Sequence, residues 1–245
     1  EKKAKWAMPV RINYDRKNVR DGLWKERWER IKKRIDSADY GKGVPSQVDA
    51  GYRDAYAPTL AVNRSGEVAA FFIGWDGEHY RGYSAAYKRD KWGGGMLIDG
   101  GPADVRHIRA AINSGGDIAV VFIQWAEDKW WRVHSRIFRP DSGWGKVVTI
   151  DAGKKTAYNP SVVFTDDGEA VAVWCQMGDK NVKSFANIYR EEGGWGKAHR
   201  LDGGEGETCG VRVAAGPDGN VIAVFEQRIR REVGSISRIF AVSML

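Results

Sequence analysis

A unit of about 51 residues recurs along this chain of 245 residues and constrains its fold more than any other feature. Each unit contains a glycine a few residues after a short apolar stretch, at spacings of 50, 52 and 51 residues: Gly66, Gly116, Gly168 and Gly219. A large aromatic residue recurs about 21 residues after each glycine, at a constant spacing of 51 residues: Tyr87, Phe138, Tyr189 and Phe240. Repetition at such a period is typical of proteins that bury one continuous core between similar units.

The pattern inside each unit predicts four short strands. One strand precedes the glycine, a second follows it, a third ends in the recurring aromatic, and a fourth is the outer strand. The second strand is almost continuously apolar, as in "VAAFFIGW" and "IAVVFIQW", which indicates burial on both faces. Units of four antiparallel strands repeated about every 50 residues predict a β-propeller.

The motif GWG marks the start of the outer strand. "RIFRPDSGWGKVVTID" (136–151) and "NIYREEGGWGKAHRLD" (187–202) share one plan, 51 residues apart. We expect Trp92, Trp144 and Trp195 to begin outer strands and to be partly buried between blades, with Trp6 in the same role. These tryptophans are therefore interpreted as part of the architecture and not as a ligand platform.

The ends of the chain predict how the ring closes. The last unit stops at "SRIFAVSML", after its third strand, whereas "KWAMPVRIN" (5–13) matches the outer strand "KWGGGMLID" (91–99). One propeller domain over residues 1–245 is predicted, with 5–13 as the closing strand, 14–50 as an irregular first blade, and regular blades at 51–102, 103–152, 153–203 and 204–245. Trp24, Trp28, Ile31 and Ile35 form a helical stripe, so a short helix is expected at about 22–36. A five-bladed ring is favoured, and four full blades plus an insertion is the alternative.

In plan this repeat resembles the tandem-repeat β-propellers of bacteria, and in size the small five-bladed lectins of the tachylectin type. The resemblance covers roughly residues 40–245 together with 5–13 and rests on periodicity and strand order. It assigns no binding residue, because no ligand motif of these lectins is matched.

Charge is concentrated near the start of the chain. Residues 1–34 contain 13 Lys and Arg against 5 Asp and Glu, a net charge of +8, whereas the other residues contain 26 against 27. The basic segment carries Lys25, Arg27, Lys32 and Lys33 and is expected to attract an anionic surface through long-range electrostatics. The other interpretation is that these side chains form the solvated face of a helix. Nucleic acid is disfavoured as a partner, because the nearby tryptophans lie on the apolar stripe.

Local catalytic and metal motifs do not occur in the sequence. The four histidines have no metal-ligand spacing, and Cys175 and Cys209 are expected to be free thiols. Asp99, Asp151 and Asp202 recur in successive units after the outer strand, which favours a turn-forming role over catalysis. No catalytic residue, metal or cofactor is predicted. The sequence contains no apolar run long enough for a transmembrane helix, and the chain is expected to be a monomeric fragment of a periplasmic or extracellular protein.

The loops between second and third strands differ from unit to unit, which favours one asymmetric binding face. The main hypothesis is a non-enzymatic recognition or scaffold module for a protein or peptide partner. Its alternative is a carbohydrate-binding propeller, and a glycoside hydrolase is third. The predicted partner-binding residues are Trp130, Trp131, Gln124, Gln176, Gln227, Arg228, Arg230 and Arg231. For the three glutamines, hydrogen bonds between adjacent blades, ligand reading in the channel and water ligation are all open.

Overall fold

The computed structural model describes residues 47–49, 53–88, 91–203, 206–230 and 234–244. The predicted closing strand at 5–13, the helix at 22–36 and nearly all of the irregular first blade at 14–50 lie outside these residues. Lys25, Arg27, Lys32, Lys33 and Arg231 also lie outside them. The predicted fifth blade and the basic segment therefore stay predictions.

Within the described residues every regular element is a strand, and the strands form four sheets. Sheet 1 contains β1 (Arg53–Val62), β2 (Val68–Trp75), β3 (Tyr80–Lys88), β4 (Lys91–Trp92) and β5 (Met96–Leu97). Sheet 2 contains β6 (Val105–Ile112), β7 (Ile118–Trp125), β8 (Trp131–Arg139), β9 (Gly143–Trp144) and β10 (Val148–Thr149). Sheet 3 contains β11 (Ala157–Phe164), β12 (Ala170–Met177), β13 (Val182–Arg190), β14 (Gly194–Trp195) and β15 (His199–Arg200). Sheet 4 contains β16 (Glu207–Ala215), β17 (Val221–Arg230) and β18 (Ser235–Met244).

All four sheets have the same antiparallel order, with the first strand of each unit at one edge. The first strands β1, β6, β11 and β16 contact one another in sequence, so they form the inner ring of a propeller. The outer strand is split into two short pieces in sheets 1 to 3, and both pieces pair with the third strand. The expected all-β propeller with repeated four-stranded blades is confirmed.

The recurring glycines have a conformational reason. Gly66 and Gly168 both have φ of +81° and lie in the turn between first and second strands. Each donates its N–H to the carbonyl three residues earlier, at 3.1 Å, which closes the turn. A side chain is strained at such a φ, so the repeat places glycine there.

The hydrophobic core lies between neighbouring sheets. Phe71 and Ile73 of β2 pack with Ile108 of β6 and Phe122 of β7, and equivalent clusters join sheets 2 and 3 and sheets 3 and 4. Every residue of β7 before Trp125 is buried, because this strand has a sheet packed on each face. The expected two-sided burial is therefore confirmed for the second strands of sheets 1 to 3, whereas β17 of sheet 4 alternates between buried and exposed residues.

The GWG tryptophans lie where the repeat places them. Trp92, Trp144 and Trp195 pair with the recurring aromatic of the third strand, and all three are half-buried. Trp144 also makes an edge-to-face contact with Phe71 of the adjacent sheet, with 6.5 Å between ring centroids. The GWG motif therefore has a structural role at the boundary between blades. Trp6 lies outside the described residues. No helix that could cross a membrane occurs in the part of the chain that the structure describes.

Candidate functional site

Buried ion pairs hold the connection between each blade and the next. The guanidinium of Arg132 donates to both carboxylate oxygens of Asp151, at 2.6 to 3.1 Å, and the Asp151 side chain is fully buried. Arg81 and Asp99 repeat this arrangement in sheet 1, and Lys183 and Asp202 form the corresponding pair in sheet 3, at 3.3 Å. Each aspartate also accepts the backbone N–H of a third-strand residue, namely Gly82, Val133 or Ser184.

The predicted glutamines belong to the same structure. Gln124 accepts the N–H of Gly100 and donates to the carbonyls of Gly101 and Ala103, in the connection between sheets 1 and 2. Gln176 makes the equivalent bonds between sheets 2 and 3 and also accepts from the Trp174 indole N–H, at 3.1 Å. Gln227 is buried at the equivalent position of sheet 4. We call these pairs and glutamines the connector clasps, and the side chains of Gln124 and Gln176 are engaged by the protein backbone.

The recurring aspartates act as expected, and the structure adds partners that the sequence analysis missed. Asp99 and Asp151 each accept the N–H of the residue two positions later, as turn-forming aspartates do. Their basic partners are spaced by 51 residues, at Arg81, Arg132 and Lys183. That spacing is the signal in the sequence from which the ion pairs could have been predicted, because a cation and an anion that recur with the same period indicate a structural pair.

The inner strands carry a repeated strain. Each strand contains a β-bulge at the same position, and the residue in the bulge has a positive φ: Ala57 (51°), His107 (53°), Asn159 (54°) and Gly210 (62°). Positive φ is unfavourable for non-glycine residues and is often found at functional sites. Bulges also redirect neighbouring side chains. The inner strands therefore depart from a regular sheet at the four bulge positions.

Cationic side chains surround the bulge of sheet 2. His107 is exposed, and its pKa is lowered first by partial burial and then by the positive charges of Arg109, Arg106 and Arg212. Arg212 lies on β16, two sheets away from His107, so its charge acts across the space that the inner strands enclose. His107 of sheet 2 thus lies within electrostatic reach of Arg212 of sheet 4, as well as of its own neighbours Arg106 and Arg109.

One tyrosine, Tyr56, lies within electrostatic reach of Arg106. Its pKa is raised, mainly by burial and then by Tyr80. We call Tyr56, Arg106, His107, Arg109 and Arg212 the channel-mouth cluster. Tyr158 is not part of it, because this side chain packs against the core between sheets 3 and 4. The sequence analysis missed all five members, because they come from three different units and their short stretch in sheet 2 matches no catalytic motif.

The predicted tryptophans lie beside this cluster in different environments. Trp131 begins β8, is half-buried, and pairs with Trp125 across the turn. The guanidinium of Arg106 lies 4.1 Å from the centroid of the Trp131 ring, a cation–π contact that orients this arginine. Trp130 is exposed on the turn itself. Trp131 therefore contacts the channel-mouth cluster through Arg106.

The predicted arginines of sheet 4 line a cavity. Arg228 and Arg230 lie at the end of β17, beside a cavity of about 700 Å³ at the boundary of sheets 3 and 4. Lys180 and Lys183 reach the same cavity from sheet 3. The cavity lies at the end of the propeller where the inner strands begin and the second strands end. The channel mouth lies at the same end of the strands, so the two open on the same side of the propeller.

Metal and thiol chemistry add little to this face. The described residues contain no group of three or more His, Cys, Asp and Glu side chains that could hold a metal ion. Cys175 and Cys209 are free, and burial raises the pKa of both thiols. Neutral thiols are poor nucleophiles, so these residues are not a reactive pair.

Comparison with known proteins gives the fold wider context. No protein-family model and no curated protein matches this sequence. Among solved structures, a polysaccharide lyase of family PL25, an ulvan lyase, matches with a TM-score of 0.54 and 10% identity, over 75% of this chain and 52% of its own. A Hadza microbial sialidase matches with a TM-score of 0.52 and 12% identity, over 76% of this chain and 44% of its own. An endo-arabinase from Bacteroides thetaiotaomicron matches with a TM-score of 0.50 and 12% identity, over 82% of this chain and 79% of its own.

This chain spans about half the length of the ulvan lyase, and at these identities the likeness shows the fold alone. The prediction of a non-enzymatic recognition or scaffold module for a protein partner is nevertheless wrong, since the similar propellers are enzymes that act on carbohydrates. The prediction of no enzyme is wrong for the same reason. It relies on the absence of local catalytic motifs, but a propeller assembles its site from separate blades, so such motifs are not required.

Proposed function

We propose that this chain is a carbohydrate-active propeller, whose substrate is an acidic saccharide bound at the channel mouth. The observation that carries the proposal is the group of three guanidiniums, of Arg106, Arg109 and Arg212, whose charges converge on His107. Guanidinium groups bind carboxylate and sulfate well, because their planar N–H donors match these anions. The shared fold with enzymes named as lyase, sialidase and endo-arabinase supports the carbohydrate class.

Two of the arginines are held in position. Arg109 donates from Nη1 to the carbonyl of Ile108 at 2.7 Å, and Arg212 makes the same bond to Val211 at 2.7 Å. Each carbonyl belongs to the residue directly after the bulge, so the bulge and the guanidinium are fixed together. Preorganised charge costs little reorganisation when an anion binds, which favours tight and oriented binding.

The cluster also contains groups that can transfer protons. The lowered pKa of His107 keeps its imidazole neutral near pH 7, in the form that accepts a proton. The phenol of Tyr56 is protonated near pH 7, since its pKa is raised further above the usual value of a tyrosine, so it is in the form that donates a proton. On a uronate substrate, the neutral base removes the proton on the carbon beside the carboxylate while the phenol protonates the departing glycosidic oxygen. The C–H and C–O bonds break and a C=C double bond forms, which is a β-elimination. An extracytoplasmic location and a monomeric state stay predictions that accompany this function.

The test is incubation with acidic and neutral polysaccharides of matched length, polygalacturonate, chondroitin sulfate and arabinan. Products are followed by ultraviolet absorbance for unsaturated ends and by reducing ends for hydrolysis. We expect turnover of an acidic substrate, and loss of that turnover in the variant His107→Asn. Asparagine preserves the bulge, because Asn159 occupies the equivalent position of sheet 3 at nearly the same φ.

Lys146→Ala is the matched control, because Lys146 is an exposed cation between the two pieces of an outer strand and not in the channel. It should keep full activity. Saccharide binding that is salt-sensitive but gives no product would indicate the lectin-like alternative. Equal treatment of acidic and neutral substrates, or an unaffected His107→Asn variant, would contradict the proposal.

A further inference from the structure

The cavity between sheets 3 and 4 is basic and separate from the channel-mouth cluster. Its lining includes five cations: Lys180, Lys183, Arg200, Arg228 and Arg230. The lining carboxylates are Asp179 and Glu207. We call this cavity the basic pocket.

Part of this charge is fixed inside the wall. Lys183 lies 3.3 Å and Arg200 lies 2.9 Å from the buried carboxylate of Asp202. Lys183 also donates to the carbonyl of Gly206, at 2.7 Å. These contacts anchor both cations against the pocket wall.

The charge that faces solvent is mainly positive. Asp179 is bound to Lys155, at 2.5 Å, so the charge of one lining carboxylate is already balanced by a lysine outside the lining. Arg228 is about half-exposed and 3.9 Å from Glu226, and Lys180 and Arg230 are exposed. An anion entering the pocket therefore meets several cations and one remaining lining carboxylate, Glu207.

The pocket also has an apolar wall. Phe185 lines it, half-buried and stacked nearly parallel on the buried Trp174, with 6.2 Å between ring centroids. Ile229 lines the pocket as well. Apolar walls with a few placed charged groups are typical of small-molecule sites, and they suit the C–H face of a sugar ring with an anionic substituent.

The inner strand β16 connects the basic pocket to the channel mouth. Glu207 of the pocket and Arg212 of the channel-mouth cluster lie on this strand, five residues apart. At about 3.3 Å per residue this separation is roughly 16 Å, so a saccharide of several units is needed to reach both.

From this geometry we infer that the basic pocket is a second saccharide subsite, which binds a carboxylate- or sulfate-bearing unit of the chain that occupies the channel mouth. The inference rests on the proposed function and adds to it a requirement for length. Short acidic saccharides bind at the channel mouth alone. Longer ones gain affinity from Lys180 and Arg230.

The test compares binding of galacturonate dimers and octamers by the intact chain, by the double variant Lys180→Ala/Arg230→Ala, and by Arg212→Ala. The double variant should weaken octamer binding about tenfold and leave dimer binding unchanged. Arg212→Ala should weaken both, and Lys146→Ala should weaken neither. A parallel series uses carrageenan octamers, which carry sulfate without uronate. The pocket binds carboxylate if the double variant loses affinity for the galacturonate octamer, and it binds sulfate if the double variant loses affinity for the carrageenan octamer.

The possible failures are distinguishable. If the double variant binds both octamers as the intact chain does, while Arg212→Ala binds them more weakly, the pocket inference is overturned and the proposed function stands. If the intact chain binds acidic oligomers no better than neutral ones, both are overturned. Far-ultraviolet circular dichroism and the urea midpoint of the double variant verify that its fold is intact.

Discussion

The connector clasps and the channel-mouth cluster are both built from arginines and polar partners, but they differ in burial and in how much of each repeats. In the clasps, Arg81 and Arg132 are paired with buried aspartates, and such a pair recurs in three successive sheets. At the channel mouth, Arg109 and Arg212 occupy equivalent positions of sheets 2 and 4, whereas Arg106 and His107 have no counterpart in the other described sheets. Full repetition with buried partners therefore marks the charges that hold neighbouring blades together, and exposed or unrepeated charges are the ones available to a ligand.

The largest expected effect is on stability, from breaking one clasp. Arg132→Ala leaves the fully buried Asp151 carboxylate without its cation, and we expect the free energy of unfolding to fall by about 3–5 kcal/mol. Urea denaturation measures it. Glu191→Gln is the control, since it removes the exposed partner of Arg139 and should cost less than about 1 kcal/mol. Similar losses in the two variants would contradict the structural role of the clasp.

A second clasp variant should have a smaller effect. Gln176→Ala removes the partner of the backbone of Ala152 and Gly153 and of the buried Trp174 indole, so a loss of about 2–3 kcal/mol is expected. Gln47→Ala should leave stability unchanged, because Gln47 is exposed. An unchanged urea midpoint for Gln176→Ala would show that these hydrogen bonds are replaced by water.

A half-buried histidine in sheet 2 predicts a pH dependence that does not involve the channel mouth. His134 stacks on Phe122, and burial lowers its pKa to about 4. The unfolded chain binds a proton more readily than the folded one, so stability should fall as pH decreases from about 6.5 towards 4, by about 1–3 kcal/mol. Urea midpoints across this range, with His134→Gln as comparison, measure the effect. The variant should lose this part of the pH dependence, and a variant that keeps all of it would assign the effect elsewhere.

The smallest expected effect on stability is at the channel mouth. Arg212 is exposed, so Arg212→Ala should change the free energy of unfolding by less than about 0.5 kcal/mol. The same variant should reduce the affinity for acidic oligosaccharides and weaken its dependence on salt, because one cation that faces the ligand is lost. Calorimetric titration at two salt concentrations measures both. A large loss of stability with unchanged binding would reverse the assignment of this arginine.

The repeat makes the fold largely predictable. The glycine of each turn, the two-sided burial of β7 and the half-buried Trp144 all follow from local rules: positive φ, continuous apolar runs and period. These rules depend on neighbours in sequence or in the adjacent unit. The roles of these residues can therefore be assigned from the order of amino acids along the chain.

The predicted binding face is less well specified. The loop sequences suggest Trp131 as an exposed anchor, whereas strand pairing with Trp125 begins at Trp131 and half-buries it beneath Arg106. Recurrence suggests the glutamines, and the side chains of Gln124 and Gln176 bind the connecting loops. Recurrence alone does not distinguish a ring of ligand groups from a set of structural bonds, because both repeat with the blade.

The amino-acid sequence alone specifies the blade, its turns and the seam between blades, because each depends on contacts that recur every 51 residues or so. Which charges meet is decided by the packing of the sheets. His107 and Arg212 are 105 residues apart in the chain, and their interaction depends on the curvature that brings inner strands of sheets 2 and 4 to the same channel. Electrostatic interaction falls with distance in space and is indifferent to separation along the chain, so the channel-mouth cluster and the basic pocket exist only in the curved arrangement of the sheets.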